Sequence, residues 1–66
     1  MKVQFQRSVL VEVEKANLNE VWDKSFNRWD ELNVEKMDVQ GKFAFLTDFT
    51  GDVYLHVPMD TFKVIA

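Results

Sequence analysis

Asn17-Leu18-Asn19-Glu20-Val21-Trp22-Asp23-Lys24-Ser25-Phe26-Asn27-Arg28-Trp29-Asp30-Glu31-Leu32 is the stretch on which the fold class turns. At one residue per 100°, Leu18, Val21, Trp22, Ser25, Phe26, Trp29 and Leu32 fall within one arc of roughly 140°. Asn19, Glu20, Asp23, Lys24, Asn27, Arg28, Asp30 and Glu31 fall outside it. Asn17 and Glu20 have the spacing of a capping box, in which an N-cap side chain and a residue three positions on satisfy each other's free N–H groups. Glu20 and Lys24 are in the favourable i, i+4 order. The spacing predicts an amphipathic helix from Leu18 to about Leu32, ended by Asn33. Trp22 and Trp29, near the centre of the arc, are expected in the core, and Ser25 permits close approach to a facing sheet.

Upstream, Val3, Phe5, Val9, Val11 and Val13 alternate with Gln4, Gln6, Ser8 and Glu12. Period two over so long a run predicts a strand from about Lys2 to Glu14 with one face buried. Arg7 interrupts the apolar face. A bulge or bend near Arg7–Ser8 that turns the charge outward is preferred to a buried Arg, which would need a paired acid.

Downstream, the parity of Val34, Met37 and Val39 predicts a turn and then a short strand from about Lys36. Gly41 suits a turn or bulge. Lys42 to Thr47 reads as a strongly apolar strand, and Asp48-Phe49-Thr50-Gly51-Asp52 as a hairpin loop with Gly51 at positive φ. Asp52 or Val53 to Val57 is the next strand. Pro58 to Thr61 is a turn, because proline cannot donate to a ladder, and Phe62 to Ile65 is a closing strand. The predicted fold is α+β, a single two-layer domain over residues 1–66. Its order is β-α-β-β-β(β), with one helix packed on a curved, mostly antiparallel sheet. The alternative is a small SH3-like barrel with a helical insertion.

A chain of 66 residues buries only about 60% of its unfolded surface, so its stability margin is thin. It has no cysteine, hence no disulfide and no thiolate metal site. Six Phe, two Trp and one Tyr supply the area that a small core requires. A formal charge of −3 argues against direct nucleic-acid binding, which needs a basic surface. No stretch is long and apolar enough for a membrane helix, and no apolar leader is seen. A cytoplasmic protein without membrane contact is expected.

No catalytic, metal-binding or nucleotide-binding signature appears. His56, the one histidine, lies beside Tyr54 without a Ser, Cys or Lys constellation, so it reads as a surface or core-edge group. Asp48 and Asp52 flank a glycine as turn chemistry requires, and they lack the spaced oxygens of a calcium loop. Phe43, Phe45 and Tyr54 resemble a base-stacking platform only without its basic flanks, and the two Phe read as core. Glu20, Asp23, Asp30 and Glu31 on the polar helix face read as solvated, with docking on a basic protein surface as the sharper possibility.

The expected function is therefore that of a small non-enzymatic module that docks on a partner protein or on itself, with no cofactor and no metal. Two alternatives stand beside it. One is an inhibitor of a nucleic-acid-acting host enzyme, of the compact acidic kind that viruses encode. The other is small-molecule or nucleic-acid binding on the open sheet face. If Val9, Val11, Val13, Phe43, Phe45, Val53, Leu55 and Val57 face the helix, alternation puts Leu10, Ala44, Leu46, Tyr54 and His56 on the far side. Leu10, Leu46, Tyr54 and His56 are then the expected partner-binding residues.

Overall fold

The computed structural model describes all residues, Met1–Ala66. Its elements are β1 (Lys2–Phe5), β2 (Val9–Lys15), β3 (Glu20–Phe26), β4 (Glu31–Gln40), β5 (Phe43–Asp48) and β6 (Val53–Pro58), then a 3₁₀ turn (Met59–Thr61) and β7 (Phe62–Val64). The strands form one sheet in the order β3-β2-β6-β5-β4-β1-β7, and every neighbouring pair is antiparallel.

The α+β expectation is overturned, because there is no α-helix. The SH3-like alternative fails on the same point, since the insertion it required to be helical is a β-hairpin. Residues 9–26 fold as β2 and β3, paired from Val9↔Phe26 to Lys15↔Glu20 around a four-residue turn. Asn19 sits at φ 52 in that turn, a left-handed conformation that Asn tolerates better than most residues. The Asn17 and Glu20 spacing that resembled a helix cap thus belongs to a hairpin turn. Asn27 to Asp30 form a second turn. Asp30 N–H donates to the Asn27 carbonyl at 3.0 Å, and Asn27 N–H donates to Asp30 Oδ2 at 2.7 Å. Trp29 occupies its third position at φ 77, where a type II turn favours glycine.

The break near Arg7 is more than a bend. β1 pairs with β4 and β7, whereas β2 pairs with β3 and β6. Arg7 lies between them, exposed, with its guanidinium 2.8 Å from Asp60. The later elements lie close to their predicted positions. β5, the hairpin loop with Gly51 at φ 92, β6, the turn after Pro58 and the short closing strand are all present. β4 begins at Glu31, earlier than the turn predicted there.

Two bulges bend the sheet round a single core. At Glu35 the pairing of β4 with β5 shifts between Val34 and Lys36. The part of β4 before this bulge pairs with β1. At Leu55–His56 two residues of β6 face the one residue Phe45 of β5. The core comprises Val3, Phe5, Val11, Val13, Phe26, Val34, Ala44, Leu46, Tyr54, Val57 and Phe62. Phe5 on β1 stacks on Phe26 of β3 with centroids 4.1 Å apart, and Phe26 in turn lies 5.7 Å from Tyr54. These strands stand far apart in the sheet order, so their rings meet only because the sheet curls. Trp22 and Trp29, expected in the core, are half exposed, at 49% and 54%.

Candidate functional site

The four expected partner-binding residues do not share a face. Leu46 and Tyr54 are buried in the core, while Leu10 and His56 are exposed. Leu10 and His56 are exposed as expected, but alternation misassigned Leu46 and Tyr54 for two physical reasons. Residues 43–46 are apolar on both sides, so period two cannot tell which side is inner. The bulge at Leu55–His56 then breaks the period within β6, so that Tyr54 and Val57, three apart, both point inward. Ala44 is likewise core, whereas Phe43 and Phe45, expected inside, are outward.

Outward aromatic side chains cluster on β5 and β6. His56 packs edge-on against Phe45 with centroids 4.9 Å apart and lies 6.1 Å from Phe43. Phe43 is 45% exposed. His56 holds φ 50, a left-handed conformation that costs an L-residue about 1–2 kcal/mol. Strain of this kind persists where the surrounding structure fixes it, and it concentrates at functional sites. Here it lets the bulge present the imidazole to the two Phe rings instead of continuing the strand.

Strand register supplies the flanks. Across the outer face Asp23 pairs with Glu12, Glu12 with Leu55, and Phe45 with Asp38. Glu14 lies beside Val53 in the adjoining row, and Leu10, 65% exposed, lies on the same face of β2. An apolar, aromatic centre is thus bordered on β2, β3 and β4 by carboxylates. Lys36 and Lys42 are the nearest basic residues in sequence on β4 and before β5.

At the opposite end of these strands Asp48 and Asp52 act within the chain. Asp48 Oδ1 accepts from Thr50 N–H at 2.9 Å, Thr50 Oγ1 at 2.6 Å and Asp52 N–H at 3.1 Å, and Oδ2 accepts from the Tyr54 hydroxyl at 2.9 Å. Asp52 Oδ1 accepts from Ala16 N–H at 3.0 Å, and its Oδ2 meets Lys15 Nζ at 2.5 Å. Partial burial pushes the Asp48 carboxyl up, but the Thr50, Tyr54 and Asp52 donors outweigh it and leave it below its ordinary 3.8. The Ala16 amide and the Lys15 ammonium likewise hold Asp52 down. Burial, and then the bond to Asp48, push the Tyr54 phenol well above its ordinary 10.0. Gly51 completes the joint, since a Cβ there would come within 3.1 Å of Ala16 Cβ. The pair therefore locks the β2–β3 hairpin to the β5–β6 turn.

The acids expected on a polar helix face are dispersed. Glu20 and Asp23 lie on opposite faces of β3, Asp30 caps a turn, and Glu31 pairs with Lys2 at 3.6 Å. No helix is long and apolar enough to cross a membrane. The chain matches no protein-family model, no curated protein and no solved structure.

Proposed function

We propose that this protein is a non-enzymatic interaction module that docks on another protein through the outer face of β5 and β6. The observation that carries the proposal is the cluster of Phe43, Phe45 and His56 outside the core, fixed at a strained bulge. Exposed apolar patches rimmed by polar groups mark contact sites, and aromatic side chains are enriched at their centres. The carboxylates of Glu12, Glu14, Asp23 and Asp38 favour a partner segment whose apolar residues are flanked by Lys or Arg. Such flanks steer encounter and select the partner more than they add affinity.

The test is the double substitution Phe43→Ser and Phe45→Ser. Neither ring belongs to the core cluster, so the variant should melt close to the wild type. Immobilised wild-type protein should retain a partner from cell extract that the variant does not retain, and retention should weaken as salt is raised. Equal retention by the folded variant would refute the assignment of the site. A nuclease, polymerase or repressor as the retained partner would make the module an inhibitor of a nucleic-acid-acting enzyme.

A further inference from the structure

We infer that β3 is a self-pairing edge, along which a second copy of the chain adds antiparallel about a two-fold axis at Trp22. β3 ends the strand order, and β2 is its only paired neighbour. Residues Glu20 to Ser25 are all exposed. A free edge of this length is a template for another strand, and its side chains decide which strand fits.

The charges on this edge complement themselves. Glu20 and Lys24 lie on the same face as Trp22, and neither belongs to any of the three ion pairs of the chain. Four residues apart on one strand, they are separated by about 13 Å and cannot pair with each other. A two-fold axis at Trp22 sets Glu20 opposite Lys24 of the second copy, and Lys24 opposite its Glu20. It also sets Trp22 against Trp22 between the two ion pairs, and Val21 against Asp23 on the other face. Opposite charges and aromatic pairs directly across an antiparallel pair are favourable. An axis at Asp23 would instead place two aspartates opposite each other, so the charges select the register as well as the partner. The same residues would also deter pairing with an unrelated edge.

Five paired residues a side bury less than the roughly 800 Å² per partner of a standard interface. The association is therefore expected to be reversible and concentration-dependent. This edge shares only the flanking Asp23 with the Phe43–Phe45–His56 face, and the inference stands independently of the proposed function.

The test is sedimentation equilibrium of the full chain from micromolar to millimolar concentration. The wild type should dimerise, more weakly at high salt. Lys24→Glu and Glu20→Lys each convert both cross-copy pairs from attraction to repulsion. Each should weaken self-association at least about tenfold, while melting as the wild type does. Mixed in equal amounts, the two variants restore both ion pairs and should form a heterodimer of wild-type-like affinity. A wild type that stays monomeric throughout overturns the inference. So does undiminished dimerisation of either variant, or a mixture that fails to pair.

Discussion

Position 29 separates the β structure from the helix that its sequence suggests, by the sign of a single comparison. Trp29 sits at φ 77, its N–H donates to the Phe5 carbonyl at 2.8 Å, and its ring is half exposed beneath the Arg28 guanidinium at 4.4 Å. Replacing it with Ala removes the ring but keeps the left-handed strain of about 1–2 kcal/mol. Replacing it with Gly removes the same ring and the strain, at a cost of about 0.5–1 kcal/mol from the more flexible unfolded chain. Trp29→Gly should therefore be more stable than Trp29→Ala by about 0.5–1 kcal/mol. In a helix interior the order reverses, with Ala favoured by about 0.8–1.0 kcal/mol. At about 4–8 °C per kcal/mol for a domain of this size, calorimetry resolves the difference. A higher melting temperature for Trp29→Ala than for Trp29→Gly would refute the turn at Asn27–Asp30 and the strand assignment before it.

Phe26→Ala should cost about 3–5 kcal/mol in chemical denaturation, since its ring is buried between Phe5 and Tyr54, whereas Trp22→Ala at the exposed edge should cost far less. That loss is a large share of the total for a chain of this length, about 3–10 kcal/mol. Asp48 and Asp52 both titrate below their ordinary 3.8 in the fold, so their contribution is present above that pH and lost as pH falls below it. Acid titration of stability should be flatter for Asp48→Asn combined with Asp52→Asn than for the wild type. Tyr54 is held neutral above its ordinary 10.0, so its contribution is present below pH 10 and lost above it. Its phenolate absorbance should therefore rise only together with unfolding. His56→Gly should be more stable than His56→Ala by about 0.5–1 kcal/mol in a thermal melt, since both lose the imidazole's packing on Phe45 and only Gly releases the left-handed strain, and both should weaken retention of the partner. A His56→Ala variant at least as stable as His56→Gly would show that the bulge is not strained.

The second half of the chain was legible because its turns carry their own chemistry. Asp48 with Gly51 closes a tight hairpin, and Pro58 ends a ladder, wherever those residues lie in a fold. In the first half the strand from Lys2 to Glu14 was legible, split at Arg7 into β1 and β2, but residues 17–32 were not, because periodicity reports burial and β3 is scarcely buried. Of its seven residues only Phe26 reaches the core. An edge strand need not alternate, so Val21, Trp22, Phe26 and Trp29 matched a helical arc by spacing alone. A usable signal was present at the ends of the segment. Asn17 with Asn19, and Asn27 with Asp30, bracket a seven-residue run containing Val, Trp and Phe, which favour strands over helices. The site was hidden for a different reason. Only the bulge at Leu55–His56 decides that Tyr54 turns inward and His56 turns out, and the sequence of β6 carries no glycine or asparagine to mark it.

That bulge links the fold to the proposed site. Phe5, Phe26, Tyr54 and Phe62 supply the aromatic part of the core inside the curled sheet. Phe43 and Phe45 alternate with the buried Ala44 and Leu46 and so face outward, and the extra residue of β6 sets His56 against them. The same curl brings β2 beside β6 and leaves β3 as a free edge. The proposed contact face and the proposed pairing edge thus lie on one sheet, with Phe45 three strands in from β3. At about 4.8 Å per strand, two copies joined edge to edge would carry their aromatic faces about 34 Å apart along a continuous sheet. A partner with two matching segments would gain affinity from that spacing alone. Self-pairing would then tune docking without altering the aromatic centre of the docking face.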